Sequence, residues 1–124
     1  MAIGNLALST AIGGNNVAIG ASAGSNLTSG SNNILIGNNA QAPVAGGSNQ
    51  LNIGGWIYGS GGNIGVGNAN PAYKLDISGD TQINGGWLRV KGTNGIYFQD
   101  YGGGWNMTDT TWIRAYNGKS IYTP

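Results

Sequence analysis

Five residues near the C-terminal end carry the side chains that a sugar would need. Tyr101, Trp105 and Trp112 supply rings, Asp109 a carboxylate and Arg114 a guanidinium. The apolar face of a pyranose stacks on an aromatic ring while polar and charged groups take its hydroxyls, so this set is a candidate glycan-contact surface. Each member also has a structural reading. Trp and Tyr are what a small β-domain uses for its core and for packing between subunits. Asp109, followed by Thr110 and Thr111, suits a turn, and Arg114 has Asp100 or Asp109 as an ion partner.

Catalysis has less to draw on. His and Cys are both absent, which removes the commonest general base, a leading metal ligand and every disulfide. The acids are Asp76, Asp80, Asp100 and Asp109, with no Glu in the chain. The reaction such a set would support is glycoside hydrolysis by a carboxylate pair, as in a polysaccharide depolymerase. Asp76 and Asp80 lie in a connecting segment where a turn role suffices. The reading is therefore a non-enzymatic chain with no cofactor and no metal. Five bases offset four acids, and no charged residue precedes Lys74. That leaves no basic stripe for nucleic acid. No apolar run approaches the ~20 residues of a membrane-spanning helix.

The elements that would hold these residues are strands. Gly occurs at 25 of 124 positions, and Asn, Ser and Thr fill much of the rest, a composition that favours turns over helices. In the first half a short pattern recurs every 17 residues, at Asn16–Gly20, Asn33–Gly37 and Gln50–Gly54. A fourth copy, Asn63–Gly67, follows after 13. Ala2-Ile3-Gly4 and Ala11-Ile12-Gly13 echo it without a clean register. Within each copy the branched residues alternate: Val17 and Ile19, Ile34 and Ile36, Leu51 and Ile53, Ile64 and Val66 share one strand face. Ala18, Leu35, Asn52 and Gly65 share the other. The β-branched, charge-poor composition is the opposite of a disordered linker. Stacked equivalent residues would repel if charged, whereas Asn can form amide ladders. Two apolar residues per strand bury too little to hold a small chain together, so association with other copies is expected.

Aromatic residues are absent before Trp56 and frequent from Trp87 onward. Three Asn-Gly pairs, at Asn84-Gly85, Asn94-Gly95 and Asn117-Gly118, are hairpin signals. Strands are predicted near 73–77, 87–91, 96–100, 104–108, 111–116 and 120–123. The division is a glycine- and asparagine-rich repeat stalk over 1–70 and an aromatic antiparallel β-domain over 71–124.

The repeat, together with Leu27–Asn33, resembles the stalks of phage tail fibres and the heads of trimeric autotransporter adhesins. The segment Ile64–Gly79 is similar to a tail-fibre junction. Gly103–Lys119 resembles a module of phage and pyocin tail fibres and the variable tips of shufflon-type pilus adhesins. These resemblances imply an all-β, parallel homotrimer with a β-roll- or β-prism-like stalk. They also imply attachment to a host cell-surface glycan, and a location on a virion tail fibre or at the cell surface. The alternative is a self-assembling extracellular filament or matrix protein. Relatives of this type continue into a longer tip, so the chain is expected to be a fragment or a processed form.

Overall fold

A computed structural model describes residues 1–111 and 113–120. The chain divides into two compact units, Met1–Thr81 and Gln82–Pro124. The boundary falls later than the 70/71 division expected from composition, because the strand at Leu75–Ile77 pairs within the first unit.

The 17-residue repeat is a coil. Strands β1 (Ala2–Ile3), β2 (Val17–Ile19), β3 (Ile34–Ile36) and β4 (Leu51–Ile53) stack parallel, one per turn. Ala2-Ile3-Gly4 thus does form a rung, pairing Ile3 with Ile19. Backbone bonding continues around the return loops. Asn39 donates its N–H to the Ala21 carbonyl (2.8 Å), Thr28 to Ala45 (2.8 Å) and Asn49 to Ser31 (3.0 Å). Each turn holds one strand and returns through loops, so the second parallel sheet of a β-roll does not form among the described residues.

Two features set the turn length. A buried amide ladder runs through Asn16, Asn33 and Gln50. Asn16 Oδ1 accepts from the backbone N–H of Asn33 (3.0 Å) and from its Nδ2 (3.1 Å). Asn33 Oδ1 in turn accepts the backbone N–H of Gln50 (2.9 Å). The Nδ2 groups of Asn16 and Asn33 also close their own turns onto the Gly30 (2.8 Å) and Gly47 (3.0 Å) carbonyls. Just before each rung of the ladder stands Asn15, Asn32 or Asn49, all with φ near +58°, a corner that Asn tolerates better than most residues. The second feature is close backbone stacking at the strand ends. Gly20 has φ +130°, and a Cβ there would lie 2.4 Å from the Gly37 carbonyl oxygen.

The coil interior is small. Ala18, Ala23, Leu27, Leu35 and Ala42 form it, with Ala7, Leu8 and Ala11 packed alongside. Asn52 takes the next inner position, where its Nδ2 donates to Gln41 (2.7 Å) and its Oδ1 accepts from Gly55 (2.9 Å). There the coil ends. Gly54 and Gly55, with φ of +60° and +77°, reverse the chain into β5 (Ile57–Ser60). A Gly61-Gly62 turn then leads to β6 (Asn63–Val66), antiparallel to β5, and β7 (Leu75–Ile77) runs parallel to β6. The early fourth copy of the repeat is therefore the far arm of a hairpin, which explains its spacing of 13.

The sheet order is β1 through β7 without crossing. Its register lines up two outward rows. One is Ile3, Ile19, Ile36, Ile53, Ile57, Val66 and Ile77; the other is Val17, Ile34, Leu51, Gly59, Ile64 and Leu75. None of them is buried except Gly59. The β-branched residues of the strands thus face outward, while Ala18, Leu35 and Asn52 face inward and are buried, so the usual preference for burying Ile and Val is not met within the single chain.

In the second unit β8 (Ile96–Phe98), a 3-10 turn (Gln99–Tyr101), β9 (Gly103–Asn106) and β10 (Arg114–Tyr116) form an antiparallel sheet ordered β10-β9-β8. The strand expected at 87–91 does not form among the described residues. It has no neighbour to pair with, and a strand needs a ladder partner. The one expected at 111–116 shortens to β10, and residues 121–123 of the last lie outside the described residues. Of the Asn-Gly pairs, Asn117-Gly118 places both residues at positive φ, +57° and +68°.

The ladder makes a sharp prediction. Asn33→Asp removes two donors from a fully buried amide and aims a carboxylate at the carbonyls of Asn16 and Gly47. The loss in unfolding free energy at pH 7 is expected to be about 3 kcal/mol or more. Burial raises the folded-state pKa of that carboxyl above its unfolded value of about 3.9. The deficit therefore shrinks as pH falls through the folded-state pKa, and chemical denaturation at neutral and acidic pH reads both effects.

Candidate functional site

Alternation along the three-stranded sheet sorts its side chains onto two faces. Trp105 stands between Ile96 and Ala115, and Phe98 stands opposite Gly103. With no side chain at Gly103, the rings of Phe98 and Trp105 meet edge to face, 5.8 Å between centroids. On the other face Tyr97 and Tyr116 flank Gly104 and pack edge to face over it at 6.0 Å. Gly104 is required for a second reason: a Cβ there would fall 2.0 Å from the Ile96 carbonyl oxygen.

Two open grooves result. One, of about 270 Å³, is lined by Phe98, Tyr101, Trp105, Ala115, Lys119 and Ser120, among others. The other, of about 320 Å³, lies along Thr93–Tyr97 and includes Trp105, Asn106 and Tyr116. Tyr101 is 81% exposed and Trp105 47%, so both rings present area to solvent. The Lys119 stem lies over Gly103.

The five residues proposed from sequence do not converge. Tyr101 and Trp105 share the first groove. Arg114 is opposite Asn106 on the sheet face that carries Tyr97 and Tyr116, away from Trp105. Its Nη2 bonds Asp109 Oδ2, while Asp109 Oδ1 accepts the backbone N–H of Thr111 (2.8 Å). The acid and the base are therefore engaged with each other in a turn. Trp112 lies outside the described residues. Sequence reasoning passed over Phe98, Tyr97, Tyr116 and Lys119. The signal that could have found them is Gly103-Gly104, two positions without side chains facing rings on the neighbouring strands.

Among the described residues no group of three or more His, Cys, Asp or Glu stands ready to hold a metal ion, and no helix is long and apolar enough to cross a membrane. Asp76 accepts the Ala72 N–H (2.8 Å), the turn role its position suggests.

A coil of stacked repeats followed by a small aromatic sheet belongs to the class of repeat-built β proteins. The family model described as the bacterial shufflon protein, N-terminal constant region, matches residues 22–124, and the chain belongs to that family. Similar proteins include Shufflon protein A' and Shufflon protein B of Escherichia coli, each 39% identical over 49 residues, 40% of this chain and 11% of the relative. Shufflon protein A of the same organism shows the same identity over 10% of its length. The chain thus spans about a tenth of the curated relatives it matches. No solved structure gives a significant match. Of the resemblances drawn from sequence, the shufflon one is carried by the family match. The match is to a constant region, not a variable tip, and the phage and pyocin tail-fibre resemblance, with its virion location, finds no support.

Two substitutions separate sheet geometry from surface charge. Gly104→Ala drives a methyl into the Ile96 carbonyl and is expected to cost about 2–4 kcal/mol in this unit. Arg114→Ala removes an exposed ion pair and is expected to cost less than about 1 kcal/mol. Denaturation followed by tryptophan fluorescence distinguishes them.

Proposed function

We propose that the chain is a non-catalytic segment of an extracellular, shufflon-type adhesin, which carries an attachment tip and contributes contacts of its own to a cell-surface glycan. Membership of a family defined by a constant region suits a carrier. The relatives agree, since differently lettered shufflon proteins match the same share of this chain at the same identity. A repeat coil suits the same task, because its length sets reach and its ladder sets stiffness. We read the assembled form as a parallel homotrimer.

The observation that carries the glycan part is the groove at Phe98, Tyr101 and Trp105. Three rings border it, Tyr101 largely exposed and Phe98 and Trp105 nearly half exposed, with Lys119 and Ser120 on the same lining. Rings for stacking beside donors for hydroxyls are the groups that sugar recognition uses. Asp109 and Arg114 stand apart from this groove, paired with each other.

The test is a panel of bacterial surface oligosaccharides titrated against the chain, read by tryptophan fluorescence. At least one is expected to bind, with Trp105→Ala weakening it tenfold or more and Arg114→Ala by less than threefold, both variants retaining their β-type circular dichroism. Binding that survives Trp105→Ala, or no binding across the panel, would leave the carrier role and remove the glycan one.

A further inference from the structure

We infer that the outward aliphatic face of the seven-stranded sheet is where copies of this chain pack together, parallel and with equivalent turns side by side; this rests on the homotrimer reading and names its interface. The partition of side chains is the first ground. The interior of the coil takes Ala18, Ala23 and Ala42, while Ile3, Ile34 and Leu75 stand outside at 54%, 43% and 60% exposure. Leu27 and Leu35 are buried inside as well, but every bulky apolar side chain of the two outward rows is left partly or largely uncovered. Contiguous exposed patches beyond a few hundred Å² mark association sites. Seven strands spaced ~4.8 Å apart make a face roughly 29 Å long, two rows wide, and so of that size class.

Chemistry selects the occupant. Both rows are aliphatic save Gly59, without a charge or a hydrogen-bonding side chain. A membrane surface would call for a cluster of basic residues beside the apolar face, and the unit offers one, Lys74, whose ammonium donates to the Gly62 carbonyl (3.0 Å). A second copy matches in both composition and spacing. Its rungs repeat at the same interval, so Ile34 can lie against Ile34 and Leu51 against Leu51 down the whole stack. The thin interior gives the same answer from folding. A scaffold this small, without disulfides, needs its extra burial while it folds, and the partner always present then is another copy.

The absence of Cys makes the test clean. The full chain is prepared as Ile34→Cys, in the middle of the face, and as Val44→Cys, exposed in a return loop. Both are oxidised mildly and run on a non-reducing gel, beside light scattering of the unaltered chain. The expected result is a mass of three chains, with a linked two-chain band from Ile34→Cys and little from Val44→Cys. A three-chain mass with linkage from Val44→Cys and none from Ile34→Cys would overturn this interface and leave the trimer standing. A single-chain mass at every concentration, with no linkage from Ile34→Cys, would overturn both.

Discussion

The buried amides of Asn16, Asn33 and Gln50 are the constraint from which the first unit follows. A buried amide that fails to find partners costs more than a made hydrogen bond returns, so each turn must place its amide beside the backbone N–H of the next. The Asn33 side chain answers to Asn16 below, Gln50 above and Gly47 in its own turn. A one-residue insertion in a turn would break all three sets at once. The period of 17 is therefore enforced from within rather than by strand pairing, which at three residues per rung is weak.

Fixed register has an outward consequence. Because the inner position of each strand is pinned beside the ladder, its two flanking residues point away from the coil in every turn. The rows that begin at Ile3 and Val17 then continue unbroken through β5, β6 and β7, although the chain has by then left the coil and turned back as a hairpin. Keeping the rows across that change of topology requires Ile57 to register with Ile53 and Ile64 with Gly59, and the Gly-Gly turns at 54–55 and 61–62 allow it. Asn52 marks the transition by filling an apolar position with an amide that binds Gln41 and Gly55.

The repeat was legible from Asn16, Asn33 and Gln50, and so was the alternation of branched with small residues. Which face is buried was not. Alternation defines two faces, and choosing between them by bulk fails when the interior is a narrow coil filled by three Ala and two Leu. Strand β5 was missed because Trp56–Ser60 does not copy the repeat, although Gly61-Gly62 is itself a hairpin signal. In the second unit the rings could be read and their partners could not, since pairing Phe98 with Gly103 needs the register that only the sheet supplies. Asn84-Gly85 and Asn94-Gly95 looked like hairpins because a dipeptide reports its own turn preference and not whether two strands stand ready to flank it.

Charge sets how such a surface would attach. Arg114 is answered by Asp109, so neither is available as the isolated charge that would dominate recognition of a strongly ionic ligand. What remains beside Trp105 and Tyr101 is ring area, one lysine and a hydroxyl. Stacking on exposed rings yields modest affinity per site, and a groove open on one side buries only part of a sugar. Attachment of that kind gains its strength from repetition, when several weak sites engage one surface together. On the proposed reading, an aliphatic face that gathers copies and an open aromatic groove that binds weakly would be complementary: the first would supply the multiplicity that the second requires.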